Sequence, residues 1–267
     1  MNRKLVFGYF ISTLLILLAC ASKSSSFRKD NIKGLLLSWA IPVVNGLSGE
    51  VSNIKDSVLI YHLDDLVLYR VAYTYTKYNK NAQKGNTNIV GDDPKTIDFR
   101  ETRFKNFIHR LGDSSGFLYD SLGTNSHLTF NVDSFEKKKT FKGAKFYDIT
   151  NAKIVQSNFY KDKSILVEKY SNVTKPDESY SDTSYYYFNS GLNDIRYSFS
   201  AEADAIKKMK LNKIRFIFNR VPKNSNSQIE IPMREVVLEI RSIRINNNKE
   251  IASLFEKFKK DALSLMK

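Results

Sequence analysis

From Ser57 onwards the chain alternates between short runs rich in Val, Ile, Tyr, Phe and Thr and clusters of Asn, Asp, Ser and Gly. That texture predicts an antiparallel β domain whose strands each bury one face. The clearest run is 65–77, where Tyr69, Val71, Tyr73 and Tyr75 share one side and Arg70, Thr74 and Thr76 the other. A period of two gives one buried face and one wet face. Further strands are expected at 103–111, 116–121, 127–132, 145–149, 153–160, 165–172, 184–189, 195–199, 213–219 and 233–245. No long helical pattern separates them, which favours a mainly β fold, an antiparallel meander, sandwich or open barrel, over a parallel α/β sheet. Residues 32–47 are apolar but broken by Gly34, Pro42, Asn45 and Gly46, and read as a buried strand, turn and strand.

The helical period occurs in two places. Ser200 can cap a helix over 201–211 with Ala203, Ile206 and Met209 on one face. At the C-terminus Asn247 or Asn248 caps an amphipathic segment, 248–266, in which Ile251, Leu254, Phe255, Phe258, Ala262, Leu263 and Met266 recur at helical spacing. It is expected to pack on the sheet. Polar stretches at 78–96, 173–183 and 222–228 read as loops, and the first is long enough to be either a functional flap or a disordered excursion. Without an internal repeat or a convincing linker, 32–267 is expected to form one domain.

The first twenty residues follow a different logic. Met1-Asn2-Arg3-Lys4 precedes a run from Leu5 to Leu18 interrupted only by Gly8, Ser12 and Thr13, the pattern of a secretory signal. It is shorter than the roughly 20 apolar residues of a spanning helix. The polar sequence Ala21-Ser22-Lys23-Ser24-Ser25-Ser26 follows at once. Leu17-Leu18-Ala19-Cys20 resembles the lipobox of bacterial lipoproteins, and Cys20 is the chain's single cysteine. The resemblance implies a signal peptide over 1–19, cleavage between Ala19 and Cys20, and diacylglycerol on Cys20, and the Ser- and Lys-rich stretch that follows is expected to make 20–31 a flexible tether. The rival reading is a buried cysteine in an uncleaved anchor. By the same resemblance, Ala21 in place of Asp after Cys20 implies sorting to the outer membrane, and the lack of acidic residues over 21–29 favours the periplasmic face. Acyl chains bury methylenes at about 0.8 kcal/mol each, so they would serve as the whole anchor.

Charge adds one constraint. The 42 Lys+Arg and 28 Asp+Glu give a formal net charge of +14, which becomes +12 when Arg3 and Lys4 leave with the signal. A basic surface permits anionic partners, but an envelope address argues against nucleic acid. One cysteine excludes an internal disulfide and a cysteine-based metal cluster.

Candidate chemistry is sparse. Gly112-Asp113-Ser114-Ser115-Gly116 matches G-x-S-x-G, the strained turn that presents a nucleophilic serine at the start of a helix. Here a strand pattern follows instead, and the only downstream histidine, His127, is close in the chain, so a hairpin turn is the better reading. His62, His109 and His127 fall on three predicted strands, with His62 and Asp64 spaced to share a face as metal ligands. The carboxylate pairs Asp64-Asp65, Asp92-Asp93 and Asp177-Glu178 point to opposite faces or lie in turns, unlike the opposed pair a glycosidase needs. No catalytic or metal-binding residue and no cofactor are therefore assigned. The 15 Tyr and 18 Phe are distinctive, and Tyr185-Tyr186-Tyr187-Phe188 should give one core pair and one outward pair. Lysine runs at Lys137-Lys138-Lys139 and at Lys257, Lys259 and Lys260 read mostly as solvated surface. The sum is a lipid-anchored envelope protein, more a binding or accessory module than an enzyme. Three versions make different structural demands. A carrier of an apolar or lipid-like ligand needs an interior cavity lined by Tyr, Phe and Leu. A scaffold that docks envelope proteins needs an exposed aromatic patch ringed by charge, and a hydrolase needs Ser114 or paired carboxylates to converge with a histidine.

Overall fold

In the computed structural model, eleven strands form a single antiparallel sheet in the order β6-β5-β4-β3-β2-β1-β11-β10-β9-β8-β7. The structure describes residues 32–78, 97–120, 127–172, 180–223 and 229–265. The predicted signal, Ala19, Cys20, the tether, Met266 and most of the 78–96 loop lie outside them. The strands are β1 (Lys33–Val44), β2 (Val51–Leu63), β3 (Leu66–Tyr78), β4 (Ile97–Arg110), β5 (Ser115–Tyr119), β6 (Leu128–Asn131), β7 (Ala152–Tyr160), β8 (Ile165–Asn172), β9 (Thr183–Asn189), β10 (Lys210–Phe218) and β11 (Arg234–Ile243). Among the described residues the α-helices are α1 (Val132–Lys139), α2 (Ala201–Lys207) and α3 (Asn248–Ser264). The chain walks outward from β1 to the edge at β6, crosses to the opposite edge at β7, and walks back until β11 pairs with β1. This is the meander; β6 and β7 are the two edges of the sheet, which does not close on itself.

Both faces are used. On one, Leu35, Leu37, Val58, Ile60, Tyr69, Tyr186, Phe188, Ile214 and Leu238 form a continuous core. Its cover is the crossing segment after β6, through Phe135, Phe141, Phe146 and Tyr147, together with Ile195, Phe199 and Ala203. On the other face Tyr61, Leu63, Leu66, Leu68, Ile108 and Tyr119 receive Ile251, Leu254, Phe255 and Phe258 of α3. Each fully buried side chain of that size contributes roughly 1.5–3 kcal/mol of transfer free energy, enough to hold one helix on a sheet. Asn247 caps it by accepting from the Glu250 amide, and Arg70 of β3 pairs with Glu250 at 2.7 Å.

Several expectations need correction. Residues 32–47 contain one strand, not two: β1 runs through Pro42, beyond the last register pair with β11 at Ala40, so no ladder bond to that neighbour is lost. Neither 145–149 nor 195–199 is a strand; both are irregular cover whose aromatic and aliphatic side chains enter the core. Helix α1 replaces the end of the strand expected at 127–132. Asn131 caps it, Asp133 sits in its first turn and Lys137, Lys138 and Lys139 occupy its last turn, charges that suit the helix dipole. The helix expected over 201–211 stops at Lys207 because Lys208 turns left-handed and β10 begins at Lys210.

Candidate functional site

Residues 112–114 lie in the hairpin turn between β4 and β5, and Ser115 and Gly116 begin β5. Gly112 has φ +91, and a strand rather than a helix follows. A Cβ on Gly116 would lie 2.4 Å from the Ile108 carbonyl oxygen and 2.6 Å from the Phe130 ring, so glycine is required there by strand packing. His127, which precedes β6 rather than lying on a strand, stacks on Phe117 at 3.8 Å and approaches Asp261 of α3 at 3.4 Å. It belongs to the seat of that helix and not to Ser114. Asp64 leaves β2 in a turn with φ 53, so it does not share a strand face with His62. Asp65 pairs with Arg110 at 2.5 Å, while Asp92-Asp93 and Asp177-Glu178 lie outside the described residues. Among the described residues no group of three His, Cys, Asp or Glu is placed to hold a metal ion.

What the sequence did not announce is a set of carboxylate latches, one for each covering helix: tyrosines of the sheet meet carboxylates of α1 and α3, and a lysine of α2 meets a carboxylate of the sheet. The Tyr69 hydroxyl donates to the buried carboxylate of Glu136 on α1, which also accepts from Lys142. Glu168 of β8, also buried, accepts from Tyr170 at 3.0 Å and from Lys207 of α2 at 2.6 Å. Tyr119 of β5 donates to Asp261 of α3 at 3.0 Å. Burial, reinforced by the adjacent carboxylate, pushes the phenols of Tyr69, Tyr119 and Tyr170 upward, so all three remain donors at neutral pH. His109 stacks on Tyr69 with ring centroids 5.8 Å apart, and burial lowers its pKa. These groups resemble catalytic types, but the carboxylates of Glu136, Glu168 and Asp261 each connect a helix to the sheet.

His62 is different. Neither of its ring nitrogens meets a hydrogen-bond partner among the described residues. Burial first, then the positive charges of Arg196 and Lys33, lowers its pKa to about 4. It borders a recess of about 270 Å³ with Lys33, Asp64, Asp194 and Arg196. Because Lys33 pairs with Asp194 at 2.5 Å, the charges there largely cancel.

The recess best equipped for a ligand lies at one end of the core face and holds about 350 Å³. Phe146, Tyr186, Phe216 and Phe218 supply its apolar walls, and Tyr180 stands exposed beside it. Phe146 comes from the crossing segment, which Tyr186 secures by donating to the Phe146 carbonyl at 3.0 Å. The polar side carries Ser181 and Ser184, 3.1 Å apart, with Asn172 donating to Ser181. Lys145 and Asp148 add one charge of each sign. Such a mixture of aromatic walls and a few directed polar groups suits a small amphipathic molecule. Elsewhere in the described core aromatic rings interlock, including Phe107 on Phe135 at 4.2 Å and Tyr147 on Tyr186 at 4.8 Å.

The outward pair is where the alternation placed it: Tyr186 and Phe188 are buried, while Tyr185 and Tyr187 are half-buried on the face that α3 also uses. No helix among the described residues is long and apolar enough to cross a membrane. The chain matches no family model and no curated protein.

Proposed function

We propose that this chain is a lipoprotein of the bacterial cell envelope, anchored in the outer membrane through acylated Cys20 and facing the periplasm. In this reading its β domain is a non-catalytic binding module, and the aromatic recess beside Tyr186 is its ligand site. The carrying observation is that recess, with four aromatic walls and a serine–asparagine rim on one side. A recess of about 350 Å³ with a mixed aromatic and polar lining favours a ligand with a ring and polar groups over a long acyl chain, which would need an enclosed apolar channel. The anchoring half of the proposal rests on Leu17-Leu18-Ala19-Cys20. It is tested by labelling cells with radioactive palmitate: wild type should carry label in the outer-membrane fraction, and Cys20→Ser should carry none. Equal labelling of the two would overturn it.

A second reading, a scaffold that docks other envelope proteins, draws on β7. This edge strand exposes Ile154, Val155 and Phe159, and edge strands with apolar side chains favour pairing with another chain. Cross-linking from position 155 in intact cells should then capture one defined protein, whereas a smear of adducts would count against it.

A further inference from the structure

On the half of the helix face away from α3, side chains from three neighbouring strands enclose a groove of about 430 Å³. Its floor is β8, with Ile165 and Val167. Gln156, Asn158 and Tyr160 of β7 stand on one side, and Tyr185 and Tyr187 of β9 on the other. The register is definite: Val167 lies between Asn158 and Tyr187, Lys169 between Gln156 and Tyr185, and Ile165 between Tyr160 and Asn189. Tyr160 and Tyr187 therefore face each other diagonally across the floor.

The dimensions limit the occupant. Strands two positions apart are separated by about 10 Å. That admits one ring in contact with both walls, since each carbon–carbon contact takes roughly 3.5–4 Å. Lys213 approaches Tyr187 from the β10 side, at 5.7 Å from the ring centroid, and leaves the side over Val167 to the groove. Arg215 donates to the Tyr187 hydroxyl at 3.3 Å and fixes the phenol, while its own charge is met by Glu235.

The chemistry narrows it further. Among the described residues, the charged ones lining the groove are Lys163 and Lys169, with no carboxylate beside them. Lys163 is exposed in the turn that leads into β8, and Lys169 reaches over the Tyr185 ring at 5.6 Å, so an ammonium stands towards each end. Gln156 and Asn158 offer amides that both donate and accept. An acyl chain would leave the amides and ammonium groups without a role. A peptide strand lying in the groove would find no backbone to pair with there, because β8 is bonded on both sides and the free edge of β7 faces away from it.

We propose that this groove binds an acidic saccharide chain. One sugar ring lies against Tyr187 and Tyr160, its hydroxyls meet Asn158 and Gln156, and carboxylates of the chain meet Lys163 and Lys169. The inference stands on the groove alone and survives failure of the recess as a ligand site.

The test is isothermal titration of the full chain in nonionic detergent. The probes are a hexamer of galacturonate, the neutral hexamer cellohexaose, hexaglutamate as an acid without rings, and phosphatidylglycerol vesicles. The galacturonate hexamer should bind best. Lys163→Gln with Lys169→Gln should weaken it about tenfold, and Tyr187→Ser about fivefold, with each variant's melting curve recorded to show that it is folded. The proposal is overturned by absent binding, by cellohexaose, hexaglutamate or the vesicles binding as tightly, or by folded variants that bind like wild type.

Discussion

Replacing Tyr69 by Phe removes one oxygen and nothing else, yet the latch on α1 should feel it strongly. Tyr69 and Glu136 are 4% and 7% exposed, and the phenol is the donor to Glu136 Oε1. His109 Nε2 lies 3.8 Å from that oxygen, too far for a hydrogen bond, and Lys142 serves the other oxygen. In Tyr69→Phe the buried Oε1 loses its donor. A hydrogen bond to a charged group contributes about 1.5–3 kcal/mol. Water can follow the exposed Lys142 side chain towards the carboxylate and soften the loss, so about 2 kcal/mol is expected. For a domain of this size that corresponds to a fall in Tm of about 4–8 °C. Urea unfolding at pH 7 followed by far-UV circular dichroism measures it as a lower midpoint with an unchanged slope. Glu136→Gln should also destabilise, and the double variant should fall short of additivity because both changes break one contact. A loss below about 0.5 kcal/mol, or strict additivity, would refute the latch.

Gly116→Ala places a methyl against the Ile108 carbonyl and the Phe130 ring and should cost upwards of about 2 kcal/mol through overpacking. Ser114→Ala, exposed in the hairpin turn, should change stability by less than about 0.5 kcal/mol. The opposite ranking in thermal melts would reinstate the motif as something other than a turn. His62 contributes a pH dependence of defined sign. Its folded pKa of about 4 lies below the unfolded value of 6.5, so between those values the unfolded chain binds the extra proton. The stability it confers is complete above pH 6.5 and falls as pH drops towards 4, by up to about 3 kcal/mol. The His62→Leu variant should lose less stability than wild type across that window. Parallel curves would mean that His62 does not titrate as described.

How far the sequence carried can be seen residue by residue. Alternation placed Tyr186 and Phe188 inward and Tyr185 and Tyr187 outward, because a strand flanked on both sides has no freedom to rotate its period. The C-terminal helix is legible from its apolar stripe, while the sequence narrows its cap to Asn247 or Asn248 and the structure uses Asn247. Helix α1 was missed because it is short: a single Asn cap and a lysine run do not stand out from a charged turn. Segments 145–149 and 195–199 carry strand-like residues for a different reason, since Phe146, Tyr147, Ile195 and Phe199 cover a core instead of joining a ladder. Long-range pairing was the least accessible feature. Nothing local in β1 says that its second neighbour is β11, about 200 residues later. The recess suffers from the same distance: Phe146, Tyr186 and Phe216 are assembled from three elements that only the completed sheet brings together.

The central claim is a lipid-anchored module that carries a ligand, and native mass spectrometry of the full chain extracted from its host membranes tests it most directly. The account predicts a chain that begins at Cys20, bears the mass of its acyl groups, and retains a small noncovalent mass that Phe216→Ala releases. An unacylated chain that begins at Met1, or an acylated chain that retains no further mass, would contradict it.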